Sequence, residues 1–144
     1  MIYATQSKTI NVAPPGALVN NASVNCLAVD RKGYDYAMVH VALGSTDAAL
    51  TALKLQESDD DSTWSDVPGL DFSVSPATLP TSSSGNSVYS FDVDLRGRKR
   101  YLKPVVTVGS GTNGAYVTVQ ADLSRAEETP HDAASRGLAG ALSA

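Results

Sequence analysis

Apolar and polar residues alternate with a period of two through much of this 144-residue chain, and that alternation limits its fold more than any other feature. A period of two places every second side chain on the same face of a β-strand, so that one face is buried and the other meets water. The pattern predicts strands over residues 34–43, 50–57, 88–95, 101–108 and 115–123, with weaker candidates at 6–12 and 23–29. Pro104 places the strand at 101–108 at a sheet edge or a bulge, because proline has no N–H.

Turn-forming residues separate the predicted strands. The sequence DRKG at 30–33 suits a tight turn, GSGTNG at 109–114 suits a hairpin loop, and residues 76–87 are rich in Ser, Thr, Pro and Gly. No helical period persists between residues 17 and 123. About six to eight short strands of this kind predict an all-β fold, an antiparallel β-sandwich or jelly roll.

The two ends of the sequence lack this alternation. Residues 1–22 include Pro14-Pro15-Gly16, and residues 124–144 are rich in Ala, Ser and Gly. Tails of this composition stay mobile unless something holds them. We therefore expect one β-sandwich domain at 23–123, flanked by an extended N-terminal arm at 1–22 and an extended C-terminal arm at 124–144 that contact other chains.

Composition excludes several classes of protein. With 42% hydrophobic and 18% charged residues, the chain has enough apolar surface for a folded core. Its 11 Lys and Arg against 15 Asp and Glu give a net charge of −4, which argues against nucleic acid as a partner. The single cysteine excludes an internal disulfide, and neither a secretory signal nor a run of roughly 20 apolar residues for a membrane helix is evident. We expect no membrane partner.

The acidic residues Asp59, Asp60 and Asp61 are the first place to look for a calcium site. An EF-hand loop that began at Asp59 would need Gly at its sixth position and Glu at its twelfth. The residues found there are Trp64 and Leu70, so the motif fails. A looser carboxylate site and a polar hairpin tip after the strand at 50–57 remain the alternative interpretations.

Residues for catalysis are sparse. His40 and His131 lie far apart, and Cys26 lies in a weak strand, where a small buried thiol is the ordinary expectation. No G-x-S-x-G nucleophile motif occurs, and GSGTNG leads into a strand rather than into a phosphate-binding helix. We predict no enzymatic activity, no catalytic residue, no cofactor and no metal.

Basic residues are concentrated in one short run, formed by Arg96, Arg98, Lys99, Arg100 and Lys103. Three interpretations are open. The run is a solvated turn whose charges discourage edge-to-edge sheet pairing, or a docking patch for an acidic protein surface, or a contact for nucleic acid. The last interpretation requires interleaved aromatic residues, and the run offers only Tyr101.

Two segments, LKLQESDDDSTWSDV at 53–67 and RKRYLKPVV at 98–106, carry a resemblance to a known family. They resemble small β-sandwich structural proteins of tailed bacteriophages, capsid decoration proteins in particular. In those proteins a strand turns over an acidic hairpin, and a later strand with an Arg-Tyr pair leads through a Gly-rich loop into the last strand. The resemblance extends over residues 36–123. The same hairpin is similar to the sialidase Asp-box, a structural hairpin, although the spacing here is one residue short.

The resemblance implies a virion structural protein that binds the outer surface of the capsid shell and stabilises it. Its partners would be the major capsid protein and two further copies in a homotrimer, assembled in the host cytoplasm. It also implies a structural role in the hairpin for Asp59, Asp60 and Trp64, with Trp64 as a buried hydrophobic pin. The basic run becomes a candidate surface for capsid docking.

Two alternatives remain open. A head–tail connector, tail or head-fibre component would use a long loop for stacking, and residues 76–87 could serve. A carbohydrate-binding β-sandwich module would need a platform of exposed aromatic residues, whereas 6% of this chain is aromatic.

Overall fold

A computed structural model of the chain describes residues 7–126 and 133–142. The strands in chain order are β1 (Lys8–Ala13), β2 (Ala22–Ser23), β3 (Val29–Asp30), β4 (Tyr34–Thr46), β5 (Leu50–Ser58), β6 (Ser65–Asp71), β7 (Ser87–Asp94), β8 (Tyr101–Val108) and β9 (Ala115–Ala126). The five strands predicted with the clearest alternation are therefore confirmed, with differences of a few residues at their ends.

The strands form two antiparallel sheets that enclose one core. The first sheet has the order β1-β9-β4-β7, and the second has the order β2-β8-β5-β6, with β3 also paired to β8. The pairings are antiparallel in both sheets. The predicted all-β sandwich is confirmed.

Alternation supplies the core from both sheets. Val39 of β4, Phe91 of β7 and Val119 of β9 point inward from the first sheet, and they are at most 1% exposed. Leu55 of β5 and Leu102 of β8 meet them from the second sheet and are fully buried. Full burial of a side chain of this size contributes about 1.5–3 kcal/mol, so these positions fix which face of each strand turns inward.

The second sheet differs most from the sequence prediction. Strand β6 was not predicted, because Pro68 and Gly69 interrupt its alternation. The strand predicted at 23–29 is reduced to two short pairings with β8, at β2 and at β3. Strand β8 lies inside the sheet rather than at its edge, but Pro104 lies beside the interruption between β2 and β3. At that point β8 has no continuous partner on one side, which is where a strand tolerates proline.

The loops divide between two ends of the sandwich with different chemistry. Loops 31–33, 59–64 and 95–100 lie at one end, and their sequences are RKG, DDDSTW and LRGRKR. We call this the charged end. Loops 14–21, 47–49, 72–86 and 109–114 lie at the opposite end and contain Asp47 as their one charged residue. We call this the uncharged end.

The boundaries of the sandwich differ from the predicted arms. Lys8–Ala13, within the predicted N-terminal arm, forms β1 and pairs with β9, and β9 itself continues to Ala126. In the described segment 133–142, Arg136 and Gly137 lie against β1, where the Thr9 N–H donates to the Arg136 carbonyl oxygen at 2.8 Å. The described parts of both predicted arms thus contact their own sandwich. Residues 1–6, 127–132 and 143–144 of those arms lie outside the described residues.

Candidate interaction surfaces

The basic run lies at the charged end, and its exposed arginines have acidic partners within the chain. Arg96 donates to both carboxylate oxygens of Asp94, at 3.0 and 2.8 Å, and its guanidinium lies 5.3 Å from the centre of the Tyr36 ring. Arg100 makes the same two-pronged contact with Asp30, at 3.1 and 2.8 Å. Planar guanidinium and carboxylate groups fit each other in this way, which makes such pairs specific.

Hydrogen bonds from these arginines perturb their acidic partners. The hydrogen bond from Arg96 is the main cause that lowers the pKa of Asp94 from 3.8 to about 2. The hydrogen bond from Arg100 likewise lowers the pKa of Asp30, against a smaller opposing effect of burial. Both pairs are exposed to solvent, so each contributes little to stability. Docking by Arg96 and Arg100 remains a prediction, and it would require a partner that competes with these carboxylates.

A buried carboxylate anchors the middle of the same run. Glu57, at the end of β5, is 8% exposed and faces the core beside Leu102. Its carboxylate lies 3.6 Å from the Arg98 guanidinium and accepts the Lys99 backbone N–H at 3.2 Å. Arg31 donates in turn to the carbonyl oxygens of Arg98 and Lys99. Loop 95–100 is therefore held to the sandwich by a charged side chain of β5 and another of loop 31–33.

The acidic hairpin is a self-contained turn. One carboxylate oxygen of Asp60 accepts three hydrogen bonds, from the Ser58 hydroxyl at 2.8 Å and the N–H groups of Ser62 and Thr63 at 3.0 and 2.8 Å. The two backbone hydrogen bonds are the largest causes that hold the pKa of Asp60 well below its usual range. In residues 7–126 and 133–142, no group of three or more His, Cys, Asp or Glu side chains is arranged to hold a metal ion.

Trp64 is half-buried, and the prediction that it is a buried pin needs correction. The Lys103 ammonium lies 4.4 Å from the centre of the Trp64 ring. Lys103 comes from β8 and Trp64 precedes β6, so the contact spans the outer face of the second sheet across β5. A ring in this position packs on one side and carries a cation on the other, which limits its contribution to stability.

The outer face of the first sheet changes character along its length. Its half next to the charged end carries Asp92, Asp94 and Asp122. The half next to the uncharged end carries a set of small or uncharged residues, which we call the uncharged patch: Pro15, Gly16, Ala42, Gly44, Val88 and Tyr116. Apart from Val88, these residues line a shallow groove of about 260 Å³. Val88 pairs with Ala42 and is 65% exposed, and Tyr116 is 46% exposed.

Among residues 7–126 and 133–142, the remaining sequence candidates for chemistry do not come together in one site. His40 Nε2 lies 3.8 Å from Asp122 Oδ2 on the outer face of the first sheet. Ser90 pairs with His40 across β4 and β7, but its hydroxyl donates to Asp92 at 2.8 Å. Burial raises the pKa of Cys26 from 9.0 to about 11, so its thiol is a poor nucleophile. His131 lies outside the described residues.

Sequence reasoning missed two parts of these surfaces. The uncharged patch joins residues that are far apart in the chain, and the only signal for it was the absence of charge in four separate loops. Glu57 was read as an ordinary strand end, because its partners lie some 40 positions later in the sequence.

In the described residues no helix is long and apolar enough to cross a membrane.

Comparisons with known proteins give a fold relationship. No family model matches the sequence, and no curated protein sequence matches it. Among solved structures, the chain is similar to the crystal structure of SPBc2 prophage-derived protein YomS, with a TM-score of 0.54 and 15% sequence identity. The similarity covers 83% of this chain and 93% of the YomS chain. This β-sandwich is thus a fold shared with a prophage-derived protein.

Proposed function

We propose that this chain is a bacteriophage virion structural protein, a capsid decoration protein that binds the outer surface of the shell and stabilises it. Its partners are the major capsid protein and other copies of itself in a homotrimer. It has no enzymatic activity, no cofactor and no nucleic-acid or membrane partner. The observation that carries the proposal is the likeness in fold to a prophage-derived protein over 83% of the chain.

A second support comes from where the two family-like segments meet. The acidic hairpin lies between β5 and β6, and the segment with Arg100 and Tyr101 opens β8, which pairs with β5. Ser58 is level with Tyr101 in that pairing, and Lys103 lies over Trp64. The residues that carry the resemblance to phage structural proteins therefore form one continuous region of the second sheet.

The architecture suits a protein that acts by binding alone. Charged side chains hold the loops of one end, and backbone contacts such as that between Val19 and Ala115, with both hydrogen bonds at 2.9 Å, hold the loops of the other. A rigid unit loses little conformational freedom when it docks. On a repeating shell each contact can be modest, because linked contacts reinforce one another.

The alternatives receive less support from the described residues. A connector or tail role called for a long free loop, but loop 72–86 is tied down by the Leu50 N–H, which donates to the Pro80 carbonyl oxygen at 3.1 Å. A carbohydrate-binding role called for open aromatic rings. Trp64 has Lys103 over its ring, and Tyr36 has Arg96 and Arg125 at 5.3 and 5.7 Å. A sugar would have to displace the cations before it stacked on Trp64 or Tyr36, and Tyr116, 46% exposed, is a single open ring rather than an aromatic platform.

Co-sedimentation with undecorated capsid shells of the encoding phage tests the proposal. The full chain should sediment with the shells and saturate at a fixed ratio to the major capsid protein. A chain that ends at Ala126 keeps β9 whole and removes residues 127–144, including the contact of Arg136 with Thr9 of β1. Circular dichroism should show that this truncated chain keeps the β-sandwich fold. We expect it to bind more weakly.

Two further experiments test the docking role of the basic run and the decoration role itself. A variant with Arg96→Gln and Arg100→Gln tests the predicted docking role of the basic run, since both side chains are exposed. Failure of the full chain to bind shells, together with its presence in purified tails or connectors, would contradict the decoration proposal and support the alternative virion role.

A further inference from the structure

We infer that the uncharged patch is a contact between copies of this chain, in which the uncharged ends of neighbouring copies meet around a rotation axis. The inference rests on the proposed homotrimer and assigns its contact surface. The occupant of the patch is the same end of a second copy. The shell would then meet a different part of the molecule.

Exposed apolar side chains are concentrated at this end. Val88 is 65% exposed and Tyr116 is 46% exposed within the patch, and Val74 and Leu18 are 61% and 39% exposed in neighbouring loops of the uncharged end. Single exposed apolar residues are ordinary on a protein surface, but several together mark an interaction site. Tyrosine in particular is enriched in protein interfaces.

Charge selects a second copy as the occupant. Residues that lie close to a rotation axis approach their own counterparts in the other copies, so charged side chains there would face like charges. Each copy carries a net charge of −4, and the other half of the same sheet face holds Asp92, Asp94 and Asp122. At the uncharged end the one carboxylate in the loops is Asp47, and it already accepts the N–H groups of Asn113 and Gly114, both at 2.8 Å. Copies of this end can therefore meet at an axis without bringing like charges together.

The patch is also held in one shape before any contact forms. A Cβ atom on Gly44 would stand 3.1 Å from the Cβ of Tyr116, so the Tyr116 side chain lies tightly across the β4 backbone. The Thr118 hydroxyl donates to the Ala13 carbonyl oxygen at 2.8 Å, which fixes the start of loop 14–21 beside it. A preformed surface needs little ordering when it binds.

Val88→Asp tests the inference, with Leu27→Asp as the matched control. Both positions are exposed leucine or valine side chains, 65% and 59% exposed, and both changes add one negative charge. Leu27 lies in the segment between β2 and β3, where its N–H donates to the Val12 carbonyl oxygen at 3.0 Å, and it does not line the groove of the patch. Sedimentation equilibrium measures the mass of each protein over a range of concentrations. We expect the wild type and Leu27→Asp to reach three times the 15.0 kDa monomer mass.

Compared with the wild type, Val88→Asp should self-associate only at concentrations at least about a hundredfold higher, because the added carboxylates face one another. Tyr116→Ala removes a contact without adding charge, and it should weaken association in the same direction while circular dichroism reports an unchanged fold. A wild type that stays monomeric, or an equal loss in Leu27→Asp, would overturn the inference. Shell binding by a monomeric wild type would leave the decoration role standing without the homotrimer, and a trimer that ignores shells would contradict the decoration role alone.

Discussion

The loops at the two ends of this sandwich are held in place by different kinds of contact. At the charged end, side chains do the work: Arg31 and Glu57 bind the backbone of loop 95–100, and Arg100 reaches Asp30. At the uncharged end, Asp47 and Asn20 bind the backbone of loop 109–114, and the backbones of loops 14–21 and 109–114 also approach one another directly. A Cβ atom on Gly114 would stand 2.2 Å from the Val19 carbonyl oxygen, so only glycine fits that approach.

This difference changes which end is available to a partner. The charged end looks like a docking site in the sequence, yet its arginines and carboxylates satisfy one another. A partner there has to replace contacts that already exist, which costs desolvation of paired ions. The uncharged end looks featureless in the sequence, yet it exposes Val88 and Tyr116, and Asp47 is the one charged residue in its loops.

Removal of the buried carboxylate should have the largest effect on stability. Glu57→Ala leaves Arg98 without its carboxylate and the Lys99 N–H without its acceptor, and we expect a loss of about 3 kcal/mol in the free energy of unfolding. Urea unfolding followed by fluorescence measures it. Asp94→Ala is the control, because it breaks an exposed ion pair at the same end and should leave the unfolding midpoint almost unchanged. Equal losses in the two variants would mean that burial of Glu57 is irrelevant.

Glycine substitutions compare the two ends directly. Gly114→Ala should lower the free energy of unfolding by about 2–3 kcal/mol, because φ is +104° and the new methyl group collides with the Val19 carbonyl. Gly97→Ala, in the charged end, meets no atom within 4 Å at a φ of +82°. It should cost about 1 kcal/mol from backbone strain alone. Thermal unfolding of both variants gives the comparison, and a larger loss in Gly97→Ala would refute the account of how the ends are held.

Trp64→Ala should have a moderate effect. A half-buried ring with Lys103 on its open side loses some packing and one cation–π contact, together about 1–2 kcal/mol. Lys103→Met removes the cation and keeps an apolar side chain of similar length, so its effect should be smaller than that of Trp64→Ala. Chemical denaturation of the pair separates the two contributions. A loss above about 3 kcal/mol in the free energy of unfolding of Trp64→Ala would instead support the predicted role of Trp64 as a buried hydrophobic residue behind the hairpin.

A fall in pH should gradually reduce the stability that the Asp60 carboxylate gives to the hairpin, and this is the smallest of the expected effects. The pKa of Asp60 in the folded protein lies below its ordinary value of 3.8, so the folded state favours the ionised carboxylate. The resulting stabilisation is fully present above about pH 5 and is lost as pH falls below the ordinary pKa toward the folded one. The wild type should therefore lose stability more steeply than Asp60→Asn between about pH 5 and 2. Asp61→Asn, outside this hydrogen-bond set, should follow the wild type, and parallel curves for all three proteins would contradict the assignment.

The sequence predicts the strands whose burial is one-sided. Phe91 and Val93 in β7 alternate with Ser90, Asp92 and Asp94 because the strand has one face in the core, so a local pattern is sufficient. Strand β6 has Val67 as a buried residue, and Pro68-Gly69 follows it at once. It pairs with β5 because the two strands form a hairpin, and the pattern of apolar and polar residues does not predict this pairing.

The candidate surfaces depend on contacts that sequence spacing does not reveal. Asp30 and Arg100 are 70 residues apart, and their pairing requires β3 and β8 to be neighbours. From the sequence alone, the basic run is interpreted as a cluster of positive charges without acidic partners. The uncharged patch likewise needs the order β1-β9-β4-β7 to bring Pro15, Tyr116, Ala42 and Val88 onto one face. The decoration role, the trimer and the docking residues stay predictions.

Cryo-electron microscopy of the encoding phage, with and without this protein, tests the central proposal most directly. The account predicts density for the sandwich at repeated positions on the outer surface of the shell, with uncharged ends of neighbouring copies in contact at a symmetry axis. Particles that lack the protein should regain that density when it is added. Density in the tail or connector, or particles identical with and without the protein, would contradict the proposal.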